Sequence, residues 1–201
     1  MPEFLFISNG SSASKIGTSI FLKFMGSHSI FILIYVDDIL ITGSCPATIH
    51  QFISQMRCEF SIKDLGHLHY FLGVEAQFTP QGLFLSQRQY MQDLFQQSTM
   101  VAVKPLPSPL AGGEKLSKFD GTPPLDPTPY RPIVGALQYT TLTRPDFAYA
   151  TKKVCHLMQA PTIVHWAAVK HILHYIKHTL HIGFLIWPSS RLSLTTYSDT
   201  D

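Results

Sequence analysis

Charge is scarce in this sequence. Only 14% of its 201 residues are Asp, Glu, Lys or Arg, and 13 acids nearly cancel 15 lysines and arginines, leaving a net +2. So small a balance gives no argument of its own for a polyanionic partner. Cysteine is scarcer still: Cys45, Cys58 and Cys155 are odd in number, widely spaced and form no CxxC pair. That spacing excludes a disulfide framework and a structural zinc ribbon, and it predicts ordinary buried thiols in a reducing compartment. Long apolar runs are missing too. The longest, from Ile30 to Ile41, is interrupted by two aspartates and is too short to cross a bilayer. The start, Met1-Pro2-Glu3-Phe4, lacks the basic n-region of a signal peptide. These absences predict an intracellular chain, cytoplasmic or nuclear, without a membrane segment. An apolar content of 45% is enough for a packed core in one or two domains.

The interruption in that run is the most informative feature present. Asp37 and Asp38 are flanked by Ile30-Phe31-Ile32-Leu33-Ile34-Tyr35-Val36 and by Ile39-Leu40-Ile41. Unpaired carboxylates are costly to desolvate, so a pair inside strand-forming sequence needs a physical reason. Two strands with the aspartates at the tight turn between them would supply one. Two acids projected from such a turn could hold Mg²⁺, which prefers carboxylates combined with water and phosphate oxygens. A polar hairpin tip is the plain alternative, because Asp is common in turns.

Around the pair, composition predicts strands at residues 18–24 and 29–36, a turn at Gly26-Ser27-His28, and a further strand at 39–42. Pro46 suits a first helical turn, and Ile49, Phe52, Ile53, Met56 and Phe60 then follow one helical face. Residues 69–78 return to strand, Pro80-Gln81-Gly82 turns the chain, and 83–86 form a short partner strand. This order predicts an α+β fold, with helix packed on a mostly antiparallel sheet. Residues 87–97 carry a helical stripe of Tyr90, Met91, Leu94 and Phe95. Residues 101–129 hold seven of the 14 prolines, with Gly112-Gly113 and Gly121, and are expected to be an extended connector. The remainder is helical: 130–141, a helix from Pro145 burying Phe147, Thr151, Val154 and Met158, and one running from Thr162 as N-cap towards Lys177. Pro145-Asp146 simply starts a helix, with the acid favoured by the dipole. Residues 183–187 and 192–197 suggest a terminal hairpin. No internal repeat is present.

Charge is uneven. From Arg144 to His181 there are five Lys/Arg (Arg144, Lys152, Lys153, Lys170, Lys177) against the single acid Asp146, with six histidines. His171, His174 and His178 have helical spacing, but no carboxylate or cysteine accompanies them, which counts against zinc.

Tyr35-Val36-Asp37-Asp38 is followed by Ile39-Leu40-Ile41-Thr42-Gly43-Ser44, Phe60-Ser61-Ile62-Lys63-Asp64-Leu65-Gly66, His69-Tyr70-Phe71-Leu72-Gly73-Val74-Glu75 and Leu83-Phe84-Leu85-Ser86-Gln87. Tyr130-Arg131, Val134-Gly135-Ala136-Leu137-Gln138-Tyr139, Thr143-Arg144-Pro145-Asp146, Ala160-Pro161-Thr162, His165, Ala168-Val169-Lys170 and Tyr197-Ser198-Asp199 continue the series. In this order they resemble the reverse transcriptase of a copia-type LTR retrotransposon Pol polyprotein, its C-terminal half plus the very start of its RNase H. The likeness covers nearly the whole chain.

The resemblance implies a partial right-hand polymerase. Residues 1–100 would be the C-terminal part of the palm, with an Asp-pair hairpin and a primer-grip-like hairpin. Residues 101–129 would be a Pro-rich connector, 130–181 a helical thumb or connection region, and 182–201 a truncated start of RNase H. It also implies RNA-directed DNA polymerisation through two Mg²⁺ (or Mn²⁺) ions, with an RNA template, an RNA–DNA or DNA duplex and dNTP as partners. Asp37 would be a principal metal ligand and Asp38 its assistant. Tyr35 and Val36 would lie beside the primer terminus or nucleotide, or else pack in the core. Lys63 resembles a lysine near the nucleotide phosphates; its alternative is a solvated lysine before a turn. The strand ending at Gln87 resembles one that grips the primer backbone, against a plain sheet edge. Lys152, Lys153, Lys170 and Lys177 would follow phosphates in a salt-dependent manner, or form a solvated basic face. Asp199 would be the first RNase H carboxylate, without its partners here.

The pattern also departs from the family. The polymerase site needs another carboxylate from an upstream strand, yet no Asp precedes Asp37 and the only earlier acid is Glu3. Basic fingers residues have no counterpart there either. Ser11 and Gly17 stand where an aromatic and an acid are expected, His178 where glycine is, and Pro132 where a small polar residue is usual. The expectation is a reverse transcriptase piece, cut at both ends, that does not polymerise alone. The rival is a non-catalytic nucleic-acid-binding remnant or domesticated retroelement protein.

Overall fold

The computed structural model describes residues 12–13, 19–98, 104–110, 116–124 and 126–189. The architecture is mixed, with antiparallel strand pairings and five α-helices among the described residues. The chain divides into two compact units, residues 1–71 and 72–201.

The first unit is a sheet in the order β1 (Ser12–Ala13), β2 (Ile20–Met25), β3 (His28–Tyr35) and β4 (Asp38–Gly43), with helix α1 (Pro46–Glu59) packed on it. The period-2 alternation of β3 sends Ile30 and Ile32 into a core with Phe21, Phe52 and Met56, all buried. Each such side chain contributes about 1.5–3 kcal/mol of burial. Pro46 stands in the first turn of α1 as predicted, and Phe60, in extended conformation, ends the helix. β5 (Tyr70–Phe71) closes the unit.

In the second unit, β6 (Val74–Thr79), β7 (Gly82–Ser86) and β8 (Phe184–Ile186) lie side by side. Helices α2 (Arg88–Gln97), α3 (Tyr130–Thr140), α4 (Ala148–Cys155) and α5 (Ile163–His178) share one core, with Met91, Val134, Leu137, Val154, Ile172 and Leu173 among its buried members. Pro132 lies in the first turn of α3, where its missing N–H costs nothing.

Several expectations need correction. The predicted strand at 69–78 is broken after Phe71, because Leu72 and Gly73 both take positive φ, +50° and +77°. The helix expected from Pro145 begins as a 3₁₀ turn, Pro145–Phe147, and α4 ends at Cys155, leaving Met158 beyond it and only half-buried. Strand β8 pairs with β7 in register Leu83↔Ile186, Phe84↔Leu185 and Leu85↔Phe184; the hairpin partner expected at 192–197 lies outside the described residues. None of the cysteines is buried: Cys45 and Cys155 are intermediate and Cys58 is exposed.

The described parts of the connector have neither helix nor strand, yet they are tied to α5. His165 Nε2 donates to Ser117 O (2.9 Å), His171 Nε2 to Ser108 O (3.0 Å) and His174 Nδ1 to Lys104 O, while Leu106 N–H returns a bond to His174 O. The histidine row therefore has a structural occupation. Thr162 caps α5 as expected, in a reciprocal box in which its hydroxyl accepts from His165 N–H and His165 Nδ1 accepts from Thr162 N–H.

Candidate functional site

The Asp pair lies at the tip of the β3–β4 hairpin. Tyr35 pairs with Asp38 across a two-residue turn formed by Val36 and Asp37. The register continues Leu33↔Leu40 and Phe31↔Thr42, so Asp38 shares a face with Tyr35, Leu33 and Phe31, opposite the buried Ile30 and Ile32. Both aspartates are exposed, and neither carboxylate has a hydrogen bond or ion pair among the described residues. The turn resolves the electrostatic puzzle: the carboxylates stay in water while the flanking strands supply the core.

Val36 is strained. Its φ is +50°, a region β-branched residues rarely occupy, and its side chain is 80% exposed, so packing does not offset the strain. Tyr35 is 54% exposed. Of the two roles open to Tyr35 and Val36, core packing does not apply to Val36.

Asp37 and Asp38 offer hard oxygen ligands with open positions around them, which suits Mg²⁺ or Mn²⁺. No group of three or more His, Cys, Asp or Glu suited to a metal ion occurs among the described residues. Lys63 is exposed in the same unit, just before a turn in which Asp64 Oδ1 accepts from Gly66 N–H (2.8 Å). No hydrogen bond joins it to the aspartates.

The other predicted residues belong to the second unit. Gln87 is fully buried; its Oε1 accepts from the Thr143 hydroxyl (2.8 Å), and its Nε2 has no partner among the described residues. Lys152 and Lys170 are exposed, Lys153 and Lys177 half-buried. Three of these four lie over aromatic rings: Lys153 over Tyr149 (4.8 Å to the centroid), Lys170 over Trp166 (5.8 Å) and Lys177 over Phe95 (5.3 Å). Asp199 lies outside the described residues.

Sequence reasoning missed the polar centre of the second unit. Arg144 is fully buried and forms a bidentate pair with Asp146, Nε to Oδ1 at 2.8 Å and Nη2 to Oδ2 at 2.7 Å. Its Nη1 donates to Thr179 O (2.8 Å) and Nη2 to Thr179 Oγ1 (2.7 Å), while Tyr175 OH donates to Asp146 Oδ2 (2.7 Å). Partial burial pushes the Asp146 carboxyl up, but the hydrogen bonds from Arg144 and Tyr175 and the guanidinium charge outweigh it and hold the group below its ordinary range. Asp146 is therefore more than a dipole-favoured helix start. The available signal was the Arg-Pro-Asp spacing, with proline turning the chain between the two charges.

The family model described as "Reverse transcriptase (RNA-dependent DNA polymerase)" matches residues 6–111. This chain belongs to the reverse transcriptase family. The chain is 45% identical over 184 residues to the Retrovirus-related Pol polyprotein from transposon RE1 of Arabidopsis thaliana, covering 92% of this chain and 13% of that protein. It is 34% identical over 190 residues to the Pol polyprotein from transposon TNT 1-94 of Nicotiana tabacum, covering 90% of this chain and 14% of that one. An uncharacterized mitochondrial protein of Arabidopsis thaliana is 42% identical over 171 residues, 85% of this chain and 71% of that protein. The chain thus spans about an eighth of the Pol polyproteins it matches, 13% for RE1. No solved structure matches it. No described helix is long and apolar enough to cross a membrane.

Proposed function

We propose that this chain supplies the Asp-pair hairpin of a copia-type reverse transcriptase palm, and that alone it does not extend a primer. The observation that carries this reading is the two-carboxylate tip, Asp37 and Asp38 on one tight turn, with no third metal-suited ligand grouped with them among the described residues. Asp37 would be the principal ligand for Mg²⁺ or Mn²⁺ and Asp38 its assistant. Divalent ions held there would activate a primer 3′-hydroxyl and stabilise the leaving pyrophosphate. The strained Val36 turn fixes where the two carboxylates project, and exposed Tyr35 and Val36 are free to meet primer or nucleotide. Lys63 would neutralise nucleotide phosphate, whereas the buried Gln87 would act through packing at the start of α2.

In this reading residues 1–100 belong to the palm, 130–181 to a thumb or connection region and 182–201 to the start of RNase H, with the connector strapped to α5. Lys152, Lys153, Lys170 and Lys177 would contact the backbone of an RNA–DNA or DNA duplex. The test is primer extension with purified chain, dNTP and Mg²⁺ or Mn²⁺. No incorporation above a blank is expected; incorporation abolished by Asp37→Asn overturns the claim of inactivity. A second reading, nucleic-acid binding without chemistry, is favoured by the exposed lysines of α4 and α5. It predicts binding that weakens with salt and is indifferent to Asp37→Asn.

A further inference from the structure

The outer side of α4 has a composition of its own. Tyr149, Lys152, Lys153 and His156 recur at i, i+3, i+4 and i+7, one stripe of a helix, while Ala150, Thr151 and Val154 take the buried side. Tyr149 is 67% exposed, although large aromatics normally find cover. Lys153 Nζ lies 4.8 Å from the Tyr149 ring centroid, so one π face carries a cation and the rest of the ring is open to solvent. Lys152 and His156 are both exposed. Arg131 Nε donates to Met158 O (3.1 Å), which sets another guanidinium just beyond the end of α4. No acid lies on the stripe. The nearest in sequence, Asp146, has both oxygens engaged by Arg144.

We infer that this stripe is a platform for single-stranded nucleic acid, with Tyr149 stacking a base and Lys152, His156 and Arg131 taking phosphates. Charge complementarity selects a polyanion. The exposed ring selects among polyanions: only an unpaired base has a free face to offer, since in a duplex both faces are covered by neighbours. Lysine behind the ring adds a cation beneath the stacked pair. The inference rests on the nucleic-acid reading above and goes beyond it by naming a stacking residue and a strand form.

The test is fluorescence anisotropy of the full chain with a labelled oligo(dT) strand, an abasic strand of equal length and a blunt duplex. Tyr149→Ala, an exposed change, is expected to weaken oligo(dT) binding by about fivefold to a hundredfold and to leave the abasic strand unaffected. Tyr149→Phe should retain wild-type affinity, and Lys152→Ala should lower the salt slope by about 0.7. An equal loss on both strands, or no loss on oligo(dT), overturns the platform. Duplex binding without oligo(dT) binding overturns it too, and leaves the broader reading standing. Preference for an oligoglutamate peptide over oligo(dT) means a protein-binding face and refutes it. If the wild-type chain binds none of the nucleic acids at low salt, both readings fall.

Discussion

Replacing Arg144 by methionine tests the polar centre of the second unit most directly. The guanidinium is wholly buried and makes four hydrogen bonds, two to Asp146 and two to Thr179. It also lies over the rings of Phe147 (5.3 Å) and Tyr175 (5.9 Å). Methionine keeps much of the apolar volume while removing every donor. Breaking a buried pair from one side typically costs about 3–5 kcal/mol. The Asp146 side chain is 33% exposed and can rehydrate, so the lower end applies, about 3 kcal/mol. Thr179 O would also lose the Arg144 donor, keeping only the bond from Ile182 N–H (3.0 Å). Against a domain stability of about 5–15 kcal/mol, such a loss moves a urea midpoint substantially. The pH dependence gives a second handle. Asp146 has a lowered folded pKa, so its stabilising contribution is present above the unfolded value of 3.8 and is lost as pH falls through the folded one. Wild type should therefore lose stability in acid below about pH 4, and Arg144→Met should lose less over that window. The cycle of Arg144→Met with Asp146→Asn should show a coupling above about 1 kcal/mol. A coupling near zero, or unchanged acid sensitivity in Arg144→Met, would refute the reasoning.

Val36→Gly should raise stability by about 1 kcal/mol in urea denaturation, because glycine accepts φ +50° freely and an 80%-exposed side chain loses little burial; a loss refutes the strain argument. Gly183→Ala should cost about 2 kcal/mol, since a Cβ there meets Leu85 O at 2.4 Å and Phe84 Cζ at 2.5 Å in the β7–β8 pairing; an unchanged midpoint refutes it. Cys45 should alkylate at lower pH than Cys155 when iodoacetamide labelling is followed by peptide mass spectrometry. The Thr48 side chain, then the Thr48 and Ala47 amides, favour the Cys45 thiolate, whereas burial pushes the Cys155 thiol up; Cys155 reacting first refutes it.

What was legible in the sequence was local. The 3.6-residue stripe of Phe52 and Met56, the proline opening α1 and the threonine capping α5 all act within a turn or two, so spacing alone locates them. The illegible parts depend on distant partners or on one backbone angle. Tyr70-Phe71-Leu72-Gly73-Val74 looks like a continuous strand, yet Leu72 takes φ +50° with its carbonyl accepting from Tyr139 OH, 67 residues away. Gly73 was the only local hint; a Cβ there would press on the Tyr90 ring at 3.3 Å. Strand β8 joins β7 across about a hundred residues, which no hairpin rule anticipates. The role of His165 was illegible for a similar reason. The capping rule looks for Glu or Gln at the third helical position, but His165 Nδ1 accepts the same bond while Nε2 holds the connector.

The Asp pair was legible in position but not in environment. Carboxylates inside an apolar run suggest desolvation and its cost, but the register puts Asp37 in the turn and Asp38 at the first position of β4, both in water. That exposure bears on the chemistry. Opposite unit charges at 4 Å attract by only about 1 kcal/mol in bulk water and about 4 kcal/mol at an effective dielectric of 20. A bare hairpin tip therefore holds a divalent ion weakly, however well its oxygens suit it. Tighter binding requires the pair to be covered by further protein and by phosphate oxygens, which lower the local dielectric and add ligands. In the proposed metal-binding role, two exposed carboxylates on a strained turn would thus owe their affinity to groups outside the turn.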